Sequence, residues 1–172
     1  HGPFSNFAKF LFVFPHFLKA SRQLYEERMV YMISHNTKMF TIMGLFIALS
    51  AVGALIKVPS PTGTVAFDSA PGFAAALLLG PGPGAAVAAL GHLLTSLFAG
   101  FPLTLPIHII IALEMAVIAA IYCHMGKRHL AAGVIAVSLL NGIIAPATFI
   151  PLPNYGIAFF SAMVFPLLVA SS

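Results

Sequence analysis

The chain has 172 residues, of which 60% are hydrophobic and only 7% charged, whereas an ordinary soluble domain carries about 25% charged residues. That is too little charge to cover a soluble protein of this length, so composition points to an integral membrane protein. Eight Lys and Arg against four Asp and Glu leave a net charge of +4. The excess basic residues sit near the ends of apolar segments, as topology signals and headgroup contacts do, rather than in a patch suited to nucleic acid. The single cysteine, Cys123, excludes an internal disulfide and a cysteine metal cluster.

Residues 1–38 differ from the rest. The chain begins at His1 rather than Met, which reads as a processed, tagged or partial chain, and no small-residue cleavage site marks a secretory signal. Six phenylalanines lie between Phe4 and Phe17, interrupted by Pro15. This apolar run is shorter than the roughly 20 residues that a spanning helix needs. It reads as an interfacial aromatic segment followed by the charged stretch Ser21–Arg28, or else as a poorly ordered extension. The first spanning helix is expected from Phe40 to Lys57, with Thr41 at its start and Pro59 closing its end. Small residues recur four apart, at Gly44 and Ala48 and again at Ser50 and Ala54, a spacing that admits a second helix closely. Spacing alone leaves open whether that helix belongs to a partner membrane protein or to this chain.

Val58 to Gly72 is the one long polar passage in an apolar chain. It holds three prolines, two glycines and Asp68, one of only four acids. Such punctuation fits a rigid, defined loop, either a binding loop or a plain connector. Ser60, Thr62 and Thr64 offer hydroxyls to a ligand or to their own turns. Asp68 binds substrate or caps the next helix. A short apolar segment, Phe73–Leu79, runs into the break Gly80-Pro-Gly-Pro-Gly84, after which Ala85–Ala99 is a small-residue helix carrying His92. The turn Gly100–Pro106 leads to the longest apolar run, Ile107–Met125, with His108 near its start and Glu114 inside it. Lys127, Arg128 and His129 end that run. Leu130–Ile150 follows, with Asn141 near the middle and Pro146 as a kink. After the loop 151–155, a sixth apolar segment, Gly156–Ser172, reaches the end of the chain without a polar flank, as though the helix continued.

With the N-terminus cytoplasmic, Arg22, Arg28, Lys38, Lys127 and Arg128 fall inside and only Lys57 outside. The loops 58–72, 101–106 and 151–155 then share the outer face, as around a cup. Ionisable or strongly polar groups at membrane depth face a bundle interior as a rule, which makes Glu114, His108 and Asn141 substrate-binding candidates. Each also has a bland reading as a hydrogen-bonded structural residue, and for His92 that reading is preferred. His108 precedes Glu114 by six positions, about 120° around a helix, so the two need not share a face. No phosphate-binding Lys-Ser/Thr loop, HExxH motif or Gly-x-Ser-x-Gly elbow occurs. Neither an enzyme nor a bound metal or cofactor is expected.

The run Ala54–Pro81, the stretch Ala89-Leu-Gly-His-Leu-Leu-Thr95 and the stretch Gly100-Phe-Pro-Leu-Thr-Leu-Pro-Ile-His108 resemble the substrate-binding membrane subunits (S components) of energy-coupling factor vitamin transporters. Within that group the sequence is most similar to the proteins assigned to alpha-ribazole uptake, with pantothenate, pyridoxine and hydroxymethylpyrimidine carriers also related. The resemblance covers 39–172. It implies an all-α, six-transmembrane-helix bundle in a prokaryotic plasma membrane, with both termini cytoplasmic and a pocket near the outer face. It also implies a coupling membrane subunit and two ATPases as partners. The coupling contact commonly uses an Ala-x-x-x-Ala patch on the first helix, here Gly44 and Ala48. Ligand would be captured outside and delivered by toppling of the whole subunit. Two other classes remain: a stand-alone facilitator or channel, and a structural membrane protein without a ligand.

Overall fold

The first helix, α1 (Pro3–Gly53), is far longer than the expected span from Phe40. The structure, a computed structural model, describes residues 3–60 and 65–171, with 3–18 and 20 described by their backbone alone. Proline is tolerated in a helix's first turn, where its missing N–H has no partner to lose, and between Phe17 and Phe40 neither glycine nor proline occurs. Exposed pairs one turn apart support this stretch: Arg22 with Glu26 and Gln23 with Glu27, both at 3.0 Å. Thr41 does not start the helix. Its hydroxyl donates back to the Thr37 carbonyl at 2.9 Å, as a mid-helix threonine does. The chain divides into two compact units, and the boundary between Thr41 and Ile42 falls within α1.

Within the unit that begins at Ile42, α1 stops at Gly53, four residues before the expected Lys57. A Cβ at Gly53 would lie 2.5 Å from the Phe67 carbonyl oxygen, so only glycine lets the returning loop lie this close. The loop is pinned as a short hairpin: Lys57 bridges Ala66, Val58 N–H donates to the Val65 carbonyl at 2.8 Å, and Phe67 N–H donates to the Ile56 carbonyl at 3.2 Å. Val58 and Val65 then bury against Met163 and Ala170 of the last helix.

Helices α2 (Ala70–Leu79) and α3 (Pro81–Phe98) are divided by Gly80 alone, at φ +102°. The prolines of the Gly80–Gly84 stretch therefore open α3 rather than separate two elements, since Pro81 and Pro83 fall among the first helical N–H positions, which have no intrahelical acceptor. The α2–α3 hairpin packs backbone to backbone: a Cβ at Gly72 would meet Ala88, and one at Gly84 would collide with Ala76. Next come α4 (Leu105–Gly126), α5 (Leu130–Ala147) and α6 (Gly156–Ser171). Between Leu140 and Ile144 α5 widens into a π-helical turn. Pro146 follows at once, and a ring at 146 would clash with the Gly142 carbonyl of a regular helix; the wider turn takes up that conflict. Phe73, Ala76, Met115, Ile118, Tyr122 and Val137 form the main core, with Phe73 and Tyr122 edge to face at 5.6 Å.

Six helices are thus counted, as expected, and no strand is present among the described residues. Among the described residues, three stretches are long and apolar enough to cross a membrane: Ser21–Gly53, Leu105–Gly126 and Leu130–Ala147. Ala70–Leu79 and Gly156–Ser171 are apolar but shorter.

Candidate functional site

The polar loop, α3, α4, α5 and α6 enclose a cavity of about 130 Å³. The hairpin supplies Lys57, Val65, Asp68 and Ser69, α3 supplies His92, Thr95 and Ser96, and the α3–α4 turn supplies Pro102 and Leu103. His108, Ile111, Glu114 and Met115 come from α4, Asn141 and Ala145 from α5, and Phe159, Met163 and Leu167 from α6.

A hydrogen-bonded cluster forms one wall. Thr95 Oγ1 donates to Asp68 Oδ2 at 2.7 Å, and His92 Nδ1 lies 3.6 Å from the same oxygen. Ser96 Oγ stands 2.9 Å from His108 Nδ1 and 3.3 Å from His92 Nε2, and the two imidazoles approach directly at 3.2 Å. On its far side His108 Nε2 accepts from the Leu103 N–H at 3.4 Å. With both imidazoles neutral, one set of tautomers satisfies every atom. His108 Nε2 is an acceptor, so its proton is on Nδ1 and goes to Ser96. The Ser96 hydroxyl then donates to His92 Nε2, and the His92 Nδ1–H faces Asp68. The chain of donors runs from the α3–α4 turn to the carboxylate. Ser96, His92 and Asp68 follow the order of a hydrolytic triad, but Ser96 is buried and its oxygen is held by His108. Among the described residues no three His, Cys, Asp or Glu side chains are arranged to hold a metal ion.

The other polar groups sit apart from this wall. Glu114 Oε1 accepts from Thr148 Oγ1 at 2.7 Å, and Glu114 Oε2 is buried without a partner. Asn141, in the π turn and 4% exposed, donates from Nδ2 to the Ser171 hydroxyl, which in turn donates to the Leu167 carbonyl at 2.6 Å. The widened backbone and the Ser171 hydroxyl together hold the carboxamide at the cavity.

The expected residues separate as follows. Asp68, His108, Glu114 and Asn141 all line the one cavity. Asp68 does not cap α2, whose N-cap is Ser69 with no side-chain bond; its carboxylate turns to α3 instead. His108 and Glu114 line the cavity together despite their angular offset on α4, because the cavity also takes in Ile111 and Met115 between them. Ser60 is half-buried in the loop and does not line the cavity, and Thr62 and Thr64 lie outside the described residues. Sequence reasoning ranked His92 low and assigned nothing to Thr95 and Ser96. The available signal was the i, i+3, i+4 set of polar residues, His92, Thr95 and Ser96, on an otherwise small and apolar helix.

The three loops meet at this end of the unit. Besides the Asp68–α3 contacts, Tyr155 Oη donates to the Leu103 carbonyl at 3.3 Å, and Tyr155 packs edge to face on Phe159 at 4.8 Å. The basic turn Lys127–Arg128 lies beyond the C-terminal end of α4, whereas His108 is near its N-terminal end. Gly44 and Ala48 are exposed, with nothing within 4 Å of a Cβ built at Gly44, while Ser50 on another side of α1 is fully buried against Gly91 of α3.

Comparison with known families decides the class. The ECF-type riboflavin transporter S component family matches residues 34–151. The chain belongs to this family. An S component is the substrate-binding subunit of a membrane transporter and not an enzyme, and the apolar helices fit membrane insertion. Membership implies a vitamin-type substrate and a coupling module with ATPases. Neither the curated proteins nor the solved structures give a match.

Proposed function

We propose that this S component captures a vitamin or vitamin precursor from outside the cell in the cavity between the polar loop and helices α3–α6. The observation that carries the reading is the cavity itself, with polar groups at separated positions and an apolar wall between them. His108 and Glu114 are six residues apart on α4, roughly 9 Å along the axis. Ile111, Met115, Phe159 and Met163 supply apolar surface. Such a cavity suits an elongated, flat heterocycle with hydrogen-bonding groups at both ends.

Alpha-ribazole, the ligand suggested by sequence resemblance, and riboflavin, named in the family's description, share this chemistry. Each joins a dimethylated fused aromatic ring to a sugar-derived polyol. Pyridoxine, hydroxymethylpyrimidine and pantothenate are smaller or less aromatic and fill less of the apolar wall. Asp68, His108, Glu114 and Asn141 bind the ligand in this proposal. The hydroxyls of Ser60, Thr62 and Thr64 are proposed as further contacts to it.

Positive charge near the predicted inner ends supports an orientation with the three loops outside. Capture would be followed by toppling of the subunit and release inside, driven by the two ATPases through the coupling subunit. The Gly44–Ala48 face is the proposed coupling contact; its exposure supports that assignment. Thermal unfolding of the purified protein with each of the five compounds tests the capture claim. A true ligand at a hundred times its Kd stabilises by about 2.7 kcal/mol. If none of them raises the melting temperature, the assignment of a vitamin-type ligand of this chemistry is wrong.

A further inference from the structure

Glu114 is the least satisfied polar group of the cavity wall. Its two carboxyl oxygens share one side-chain donor, Thr148 Oγ1, and that hydroxyl lies equally close, at 2.7 Å, to the Ala145 carbonyl. A hydroxyl has one hydrogen, so Glu114 competes even for this bond. The second oxygen, Oε2, is buried without any partner. Among the described residues the ion pairs are Arg22–Glu26 and His92–Asp68, and no basic side chain pairs with Glu114. Asp68 shares its Thr95 donor in the same way, with the His92 carbonyl at 2.9 Å, but its Oδ2 also faces His92 Nδ1 at 3.6 Å.

The side from which a donor can come is also defined. Glu114 stands in the partition between the cavity and a second concavity of about 320 Å³. That outer groove is lined by Ile110, Leu113, Val117, Ile121, Leu140 and Ile144, and among the described residues its polar side chains are Glu114 and Thr148 themselves. It lies between two helices of membrane-spanning length, where hydrocarbon brings no hydrogen bond. A buried acceptor left unpaired is costly. The cavity, which Glu114 also lines, is the side that offers polar company.

We infer that Glu114 is the charge-selecting residue of the site: it accepts a hydrogen bond from an N–H, amino or hydroxyl group on the buried end of the bound solute, and it turns away solutes whose buried end is a carboxylate or phosphate. The inference rests on the capture function proposed above. It adds a selection rule which that function does not contain, namely that the solute is neutral or cationic where it meets α4. A carboxylate placed there would face Glu114 with no cation between them. Among the described lining residues, Lys57 is on the hairpin and exposed, and His92 and His108 are engaged with Ser96, Asp68 and each other.

The test is calorimetric titration of the full chain, wild type and Glu114→Gln, with riboflavin, alpha-ribazole, pyridoxine and hydroxymethylpyrimidine as donor-bearing solutes and pantothenate as the anion. Wild type is expected to bind at least one of the first four and to refuse pantothenate. Glu114→Gln is expected to lose roughly ten- to hundredfold in affinity for that solute, the worth of a hydrogen bond to a charged group, and to admit pantothenate. The ratio of the two affinities is the readout, because a purely structural lesion lowers both together. Should Glu114→Gln fail to fold, Glu114→Asp keeps the charge on a shorter arm. It is expected to weaken the neutral solute while still refusing the anion. Tight binding of pantothenate by wild type, or an unchanged ratio in both variants, overturns the inference and leaves the capture function standing. Wild type binding none of the five overturns both.

Discussion

At the scale of single residues, the cavity wall depends on directionality. His108, Ser96 and His92 each have one proton to give in this set, and Asp68 is the acceptor on which the series ends. Asp68→Leu keeps the approximate size but removes the one oxygen that faces both Thr95 Oγ1 and the His92 Nδ1–H. Thr95 still has the His92 carbonyl at 2.9 Å, but the His92 N–H loses its partner. The expected cost is about 1–3 kcal/mol of stability, read as a lower melting temperature in detergent with unchanged helical content. The ligand-induced shift should shrink as well, because the wall no longer holds a single tautomer. Asp68, His108, Glu114 and Asn141 were legible in the sequence as rare polar groups in an apolar chain. The value of His92 and Ser96 was not, because it depends on α3 and α4 crossing at the level where His92 and His108 face each other at a ring separation of 5.3 Å. No local pattern encodes that crossing.

At the scale of elements, the sequence showed where apolar runs lie better than where helices stop. Composition and run length carried the six helices. The boundaries went astray where one residue decides between two structures. Gly53 ends α1 early because the Phe67 carbonyl needs the space, a tertiary reason. Thr41 looked like a helix start but bonds to its own helix. Prolines in the first turn of α3 looked like a break because a proline at N1 and a proline in a loop read alike in sequence.

Pro146 was expected to kink α5, and the structure gives a π-helical turn that holds Asn141 instead. Replacing the ring restores an N–H and removes the clash that the wide turn relieves. Pro146→Ala should therefore raise the melting temperature of the unliganded protein. A tightened turn rotates Asn141 away from Ser171 and the cavity, so ligand affinity should fall at the same time. Higher stability with weaker binding, measured on one preparation, is the expected signature. Higher stability with unchanged binding would show that the π turn does not position the carboxamide.

At the scale of the whole molecule, family membership implies a coupling module with ATPases, and from Ile42 on the first helix has one face buried against the chain and another exposed. Ser50 is used internally: it is fully buried, and a Cβ on Gly91 would lie 2.6 Å from its hydroxyl. Gly44 and Ala48 sit on a different side of the same helix and remain exposed. The four-residue spacing could not tell these two stripes apart, because both read as small-xxx-small; only the burial of one separates them. Association of helices in lipid depends on close approach of backbones rather than on hydrophobic burial. An indole at position 48 would hold the partner helix off by several ångströms without touching the cavity. Ala48→Trp is therefore expected to abolish co-purification with the coupling subunit and the ATPases while leaving the ligand-induced thermal shift intact. Ser50→Trp should do the reverse of this in kind, breaking the contact with α3 and lowering stability before any partner is involved. If Ala48→Trp still co-purifies with the full transporter, the coupling contact lies on another surface, and the exposed small-residue stripe has no part in assembly.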